Sequence, residues 1–226
     1  MKLMEAQNIL DKIPQVPFNQ LFSNEQLQNI IVNKGKTGQL LETVVLNLNL
    51  SSAHLDFEDG ELKSGCFYTD GSPKETIAVC MISSIFDELI STDIDYESSY
   101  PYQKMSNMII AAIGKYKRGQ SSRVLPPQDW SILKTVHVDF SNDKYKNFSA
   151  QIVEDLKNIF TTVRQDIEAG KNLSTTNGKY IQIRTKDSGG NHPIYSKSAD
   201  RYVSHCNYAI YIMKDGINEI LKIEGE

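Results

Sequence analysis

No apolar run in the sequence approaches the roughly 18 to 20 residues that a membrane-spanning helix needs, so no membrane partner is expected. The opening MKLMEAQNILDKI has neither the basic start nor the unbroken apolar stretch of a secretory signal. Cysteine is scarce: Cys66, Cys80 and Cys206 are an odd number without CxxC spacing, which argues against a disulfide scaffold and a structural zinc site. Glycine (13) and proline (7) are too few for a fibrous or disordered chain, and no repeat or long linker is present. What remains is a soluble, cytoplasmic globular protein. Its 226 residues, 40% of them hydrophobic, suffice for one large domain or two small ones.

The net charge of −4 conceals an uneven distribution. Residues 1–100 carry 6 Lys+Arg against 15 Asp+Glu, whereas residues 101–201 carry 16 against 9. Either a basic face meets a polyanion while acidic groups bind cations elsewhere, or the two stretches mix on the folded surface; composition leaves both open.

Periodicity predicts helices first. Leu3, Ile9, Leu10 and Ile13 suit one helix, stopped by Pro14 and Pro17. A second begins at Asn24 as N-cap, with Leu27, Ile30 and Ile31 inward. A third follows Lys34-Gly35 through TGQLLETVVLNL, although Val45–Leu50 also alternates like a strand. The runs 61–68 and 76–82 flank TDGSPKE, whose Asp-Gly marks a turn, and predict a β-hairpin. Residues 107–113 suit a buried central strand, and 133–140, 179–186 and 207–213 suit further strands. Ile152, Val153, Leu156, Ile159, Phe160, Val163 and Ile167 form one stripe of a helix over 150–169. The order predicts an α/β protein around a mixed β-sheet flanked by helices. Residues 1–226 are expected to form a single domain, with sub-lobes at about 1–60 and 61–226.

One cluster carries chemistry. Residues 56–63 read Asp-Phe-Glu-Asp-Gly-Glu-Leu-Lys. On a strand, Glu61 and Lys63 share a face. Asp56, ahead of the Asp59-Gly60 turn, can fold back toward it. Two converging carboxylates make a hard-oxygen site suited to Mg²⁺, with Mn²⁺ as a substitute. A lysine beside that metal can hold or deprotonate a water aimed at phosphorus. This is the D…(D/E)xK pattern of many nucleases. Asp155-Leu156-Lys157 matches it too, but a helix sends positions i and i+2 in different directions, so it reads as solvated surface. His54, His137, His192 and His205 lack ligand spacing and read as structural.

The surrounding blocks add a family likeness. KGKTGQLLE (34–42), DF…GELKS (56–64) and DGSPKETIAVC (70–80) resemble the MutH-like family of DNA endonucleases, as do GKYIQIRTK (178–186) and IYIMKDGINEIL (210–221). The likeness runs in order from about residue 20 to 221. It implies a restriction-endonuclease-like core with two lobes around a DNA cleft. It also implies Asp56 and Glu61 as metal ligands, Lys63 as catalytic lysine and Glu42 as a supporting acid. Lys34, Lys104, Arg184, Lys186, Tyr211 and Lys214 fall at its DNA-contacting positions. Arginine suits base reading because its fork matches the O6/N7 edge of guanine. The alternatives are a surface role for Arg184 and a half-buried strand aromatic for Tyr211.

The sequence also departs from the family. Only four residues separate Asp56 from Glu61, Thr185 replaces a proline and Met213 one of two lysines. The basic stretch with Lys115, Lys117, Arg118 and Arg123 has no counterpart, and is either a DNA clamp or an exposed loop. The implied function is Mg²⁺-dependent, sequence-specific cleavage of double-stranded DNA, as in a type II restriction endonuclease; GATC is the family's common target. A mismatch-repair nickase and a non-catalytic DNA-binding module are the alternatives.

Overall fold

The computed structural model describes residues 1–32, 36–48, 55–119, 123–186 and 192–225. Lys34 and His54 lie outside the described residues, as do Gly35 and the end of the Val45–Leu50 stretch. In chain order, α1 (Leu3–Leu10), α2 (Phe18–Leu21), α3 (Asn24–Val32) and α4 (Lys36–Leu40) precede a π-helical turn, Leu41–Val45, and strand β1 (Glu61–Tyr68). Then come β2 (Ile77–Met81), α5 (Phe86–Ile90), α6 (Tyr100–Ser106), β3 (Asn107–Lys117), β4 (Arg123–Val124) and β5 (Ser131–Asp139). The chain continues through α7 (Lys146–Glu168), β6 (Thr176–Asn177), β7 (Ile181–Thr185) and β8 (Ile194–Ser196). It ends with β9 (Arg201–Ser204), β10 (Tyr208–Ile212) and α8 (Lys214–Ile223). The fold is mixed α/β with mostly antiparallel strand pairs. Among the described residues no helix is long and apolar enough to cross a membrane.

Two compact units interleave along the chain. One comprises Met1–Thr76, Asn107–Asp139 and Glu224–Glu226, the other Ile77–Ser106 and Phe140–Ile223. The division follows strand pairing.

In the first unit β3 is central, parallel to β1 and antiparallel to β4 and β5. It is buried from Met108 through Lys115, which explains why 107–113 reads as a continuous apolar run. Leu62 stands opposite Ile109, and the neighbouring pairs are Glu61 with Met108 and Lys63 with Ile110. Alternation therefore sends Leu62, Ile109, Ala111 and Ile113 to one face, where they join Leu3, Leu10, Phe18, Ile30 and Leu41 in one core. Glu61 and Lys63 fall on the opposite face of the sheet.

The N-terminal helices form largely as periodicity requires, with local differences. Leu3, Ala6 and Leu10 bury one stripe of α1, which ends before Pro14. The cap of α3 is Ser23 rather than Asn24. The Ser23 Oγ accepts from the Gln26 N–H at 3.3 Å, and Gln26 Oε1 accepts from the Ser23 N–H at 2.8 Å, a reciprocal capping box. Leu27 and Ile30 are buried, but Ile31 is 56% exposed. It sits one position past the inward stripe, where a 3.6-residue period turns it outward.

The expected β-hairpin of 61–68 and 76–82 is not formed. β1 takes β3 as its partner and β2 takes β10. The turn between them is nonetheless real. Gly71 has φ +86°, the Gly71 N–H donates to Tyr68 O at 2.9 Å, and one isolated bridge joins Phe67 to Pro73. The Asp-Gly signal thus marks a reversal that pairs residues 72–74 with the end of β1, after which the chain leaves that strand.

The second unit holds an antiparallel sheet in the order β2-β10-β7-β6 and a small β8-β9 pair. In place of the anticipated single mixed sheet, the described residues form a mixed sheet in the first unit and two antiparallel ones in the second. Helix α7 starts earlier than the apolar stripe does and packs on β6 and β7. Its buried positions include Ile152, Leu156, Ile159, Phe160, Val163 and Ile167, and also Asp155.

Candidate active site

The segment 56–63 closes on itself through its own backbone. The Phe57 N–H donates to Gly60 O at 3.0 Å, forming the reversal that Asp59-Gly60 announces. Asp56 Oδ2 accepts from the Leu62 N–H at 3.0 Å, and Glu61 Oε2 accepts from the Asp56 N–H at 3.2 Å. Lys63 Nζ donates to Glu61 Oε1 at 2.5 Å. One chain of hydrogen bonds therefore links Asp56, Glu61 and Lys63. Glu61 is 1% exposed, so the lysine offsets the cost of burying its carboxylate.

The turn is pinned from outside as well. Asp59 Oδ1 accepts from the Leu3 N–H at 2.7 Å, and Asn107 Nδ2 donates to Asp59 O at 2.5 Å. His137 Nε2 lies 2.8 Å from Asn107 Oδ1, a structural role for this histidine. A Cβ on Gly60 would stand 2.3 Å from Leu3 Cδ1 and 2.7 Å from Asn107 O. Only glycine lets the turn sit this close to β3.

Asp56 and Glu61 are the groups that could hold a metal. Their donor set fits Mg²⁺, which takes one or two protein carboxylates and completes its shell with water and substrate phosphate. Among the described residues no three or more histidine, cysteine, aspartate and glutamate side chains converge as a metal-holding group. Glu42 comes from a different element. It lies in the π-helical turn, a feature that often marks functional positions. Its Oε1 is 3.7 Å, and Ser64 Oγ 3.3 Å, from the point where a Cβ on Gly38 would be. Ser64 follows Lys63 on β1, so Glu42 approaches the same strand from the helix-covered face.

The DNA-contact candidates of the second unit are distributed as follows. On β7 and β10, Arg184 stands opposite Ala209, and Tyr211 opposite Gln182. Arg184 and Tyr211 are thus diagonal neighbours on one face, and the guanidinium carbon lies 4.5 Å from the Tyr211 ring centroid. Tyr211, expected as a DNA-contacting residue with a half-buried strand aromatic as the alternative, is 8% exposed. The Arg184 Nε is buried with no hydrogen-bond acceptor among the described residues. Lys186 and Lys214 are exposed, the first just after β7 and the second opening α8. Lys104 is buried in the last turn of α6, its Nζ 5.2 Å from the Tyr100 ring.

Two readings of charged residues need correction. Asp155 is not solvated surface: it is 2% exposed. It accepts from the N–H groups of Lys179, Tyr180 and Ile181 at 2.9, 2.6 and 3.2 Å, and from Gln151 Nε2 at 3.0 Å. It anchors the entry to β7. The signal was available, since 155 falls on the inward stripe, three after Ile152 and four before Ile159. Lys115 is likewise no part of an exposed basic loop, being 7% exposed on β3. Lys117 and Arg118 are exposed, and Arg118 Nε pairs with Asp70 Oδ2 at 2.9 Å. The Arg123 side chain lies outside the described residues.

No protein-family model and no curated protein matches this chain. The functional reading therefore rests on the residues and their arrangement.

Proposed function

We propose that this chain is a Mg²⁺-dependent endonuclease that cleaves double-stranded DNA at a specific sequence, as a type II restriction endonuclease does. The observation that carries the reading is the hydrogen-bonded set Asp56–Glu61–Lys63 on one tight turn and strand. The same proposal includes a restriction-endonuclease-like core, with β1 as the strand presenting the site.

In this mechanism Asp56 and Glu61 present the carboxylate oxygens that bind the cation. A cation held by these two carboxylates would supply charge that offsets the negative phosphorus transition state and would favour ionisation of the attacking water. Lys63 now pairs with Glu61. With Glu61 turned to a cation, the Lys63 ammonium would donate to a phosphate oxygen and orient the attacking water, whose proton would pass to a phosphate oxygen. Attack in line leaves a 5′-phosphate and a 3′-hydroxyl. Burial of Glu61 excludes bulk water and strengthens each of these electrostatic contacts.

Arg184 reads sequence in this account, with Lys186 and Lys214 on phosphate. To reach a base edge the guanidinium must lift from Tyr211, and its Nε, which lacks an acceptor in place, can gain one by doing so. The test is incubation with plasmid and genomic DNA in Mg²⁺, followed by sequencing of the ends. Cleavage at one sequence, lost in both Asp56→Ala and Glu61→Ala, is expected. Sequence-selective DNA binding with no cutting in any divalent cation would leave a non-catalytic module instead.

A further inference from the structure

Lys115 occupies an unusual position for a lysine. It is the extra residue of a β-bulge: Gly114 stands opposite Phe67 and Tyr116 opposite Tyr68, so Lys115 falls between two register pairs. It lies on the face of β3 that also carries Ile109, Ala111 and Ile113, the face covered by the N-terminal helices. Its Nζ donates to the Thr37 Oγ1 at 3.1 Å and stands 4.3 Å from the centroid of the Trp130 ring. The Cys66 thiol reaches both Lys115 and Glu75, and burial pushes that thiol's pKa up. Thr37 is 1% exposed.

An ammonium in such a place carries a desolvation cost, and an apolar chain of the same length would fill the space without it. The contacts indicate what the charge achieves. Thr37 lies in the first turn of α4, and Gly38 follows it directly, placed so that a Cβ would be 3.3 Å from Ser64 Oγ. One turn later the helix delivers Glu42. The ammonium thus ties the start of this helix to the strand beside β1, and the helix sets the approach of Glu42 to the strand that carries Glu61 and Lys63.

We propose that Lys115 is a positioning residue for the Asp56–Glu61–Lys63 site, acting through Thr37 to fix the helix that carries Gly38 and Glu42. This rests on the nuclease reading of that site. A displacement of about 1 Å in a catalytic arrangement can cost on the order of 100-fold in rate. Lys115→Met and Thr37→Val remove the bond from either end, and Thr37→Val leaves the core volume nearly unchanged.

The experiment measures kcat and KM for DNA cleavage in the full chain, with thermal unfolding and the emission of Trp130 alongside. Trp130 is the chain's single tryptophan and reports loss of the ammonium directly. The expected result is a kcat lowered by about 10- to 100-fold in both variants, with KM for DNA and the unfolding temperature little changed. The double variant should have a kcat no lower than Lys115→Met alone, because that change already severs the bond to Thr37. Wild-type kcat in either folded variant would overturn the positioning role while leaving the nuclease reading intact. A wild type that does not cut in any divalent cation would overturn both. If Lys115→Met fails to fold, Thr37→Val alone decides.

Discussion

Replacing Asp155 with alanine should be among the most damaging single changes in the second unit, although no part of the proposed chemistry touches it. The carboxylate accepts four hydrogen bonds, three from the successive backbone N–H groups of residues 179–181. The Ile181 N–H is fully buried and would be left without an acceptor, at about 1–3 kcal/mol. The two partly buried N–H groups can bond to entering water, and their loss costs about 0.5–1.5 kcal/mol each. The total is about 2–6 kcal/mol, against a typical domain stability of 5–15 kcal/mol. At roughly 2–4 °C per kcal/mol for a chain of this size, the midpoint should fall by about 10 °C. Asp155→Asn should lose most of the same energy, because its amide NH₂ would face backbone donors where an oxygen now accepts. Gly178 supplies an internal control. A Cβ there would lie 2.5 Å from Asp155 Cγ and 2.8 Å from Asp155 Cβ, so Gly178→Ala should destabilise the wild type and cost less in the Asp155→Ala background, where only the Cβ contact remains. Calorimetry or urea titration of the four proteins measures this. A loss under about 1 kcal/mol for Asp155→Ala, or strict additivity with Gly178→Ala, would refute the anchoring argument.

Further outcomes follow from the same geometry. Arg184→Ala should lower affinity for the cognate duplex by about 1–3 kcal/mol more than for a scrambled one, measured by titration at one salt concentration. An equal loss on both would make Arg184 a backbone contact. Gly60→Ala forces a Cβ to within 2.7 Å of the Asn107 carbonyl and should cost about 1–3 kcal/mol in thermal unfolding, together with most of the cleavage rate. A stable, fully active Gly60→Ala variant would contradict the close approach described for the turn. DNA binding should persist in Ca²⁺ and fall steeply between about 50 and 200 mM salt as counterions are no longer displaced. An affinity flat across that range would argue against phosphate contacts.

Much of this architecture was legible in the residues, and the exceptions have physical causes. The run Asn107–Ile113 and the α7 stripe announced a central strand and a long helix because each is buried along its length. Asp59-Gly60 and Asp70-Gly71 announced reversals because their chemistry is local. Pairing is not local. Nothing in 61–68 says that β1 will run parallel to β3, 46 positions further on, rather than back along 76–82. The apolar segments of two units alternate along the chain, so neighbours in sequence are separated in pairing. Within the candidate site, the adjacency of Glu61 and Lys63 follows from strand alternation, and that of Asp56 from the turn. Lys115 and Asp155 were misread for a common reason. A charge inside an apolar pattern was assigned to solvent, when the pattern around it already placed it inward and its partners, Thr37 and the 179–181 backbone, were distant in sequence.

The central claim is that Asp56 and Glu61 hold a divalent cation that enables Lys63 and water to cut DNA. The most direct measurement follows supercoiled plasmid with wild type and Glu61→Ala, each in Mg²⁺ and again after chelation, alongside folding controls by circular dichroism. The account predicts cleavage by wild type in Mg²⁺ only, with 5′-phosphate ends, and none by a folded Glu61→Ala. Cleavage that survives chelation, or a folded Glu61→Ala that cuts at the wild-type rate, would contradict it.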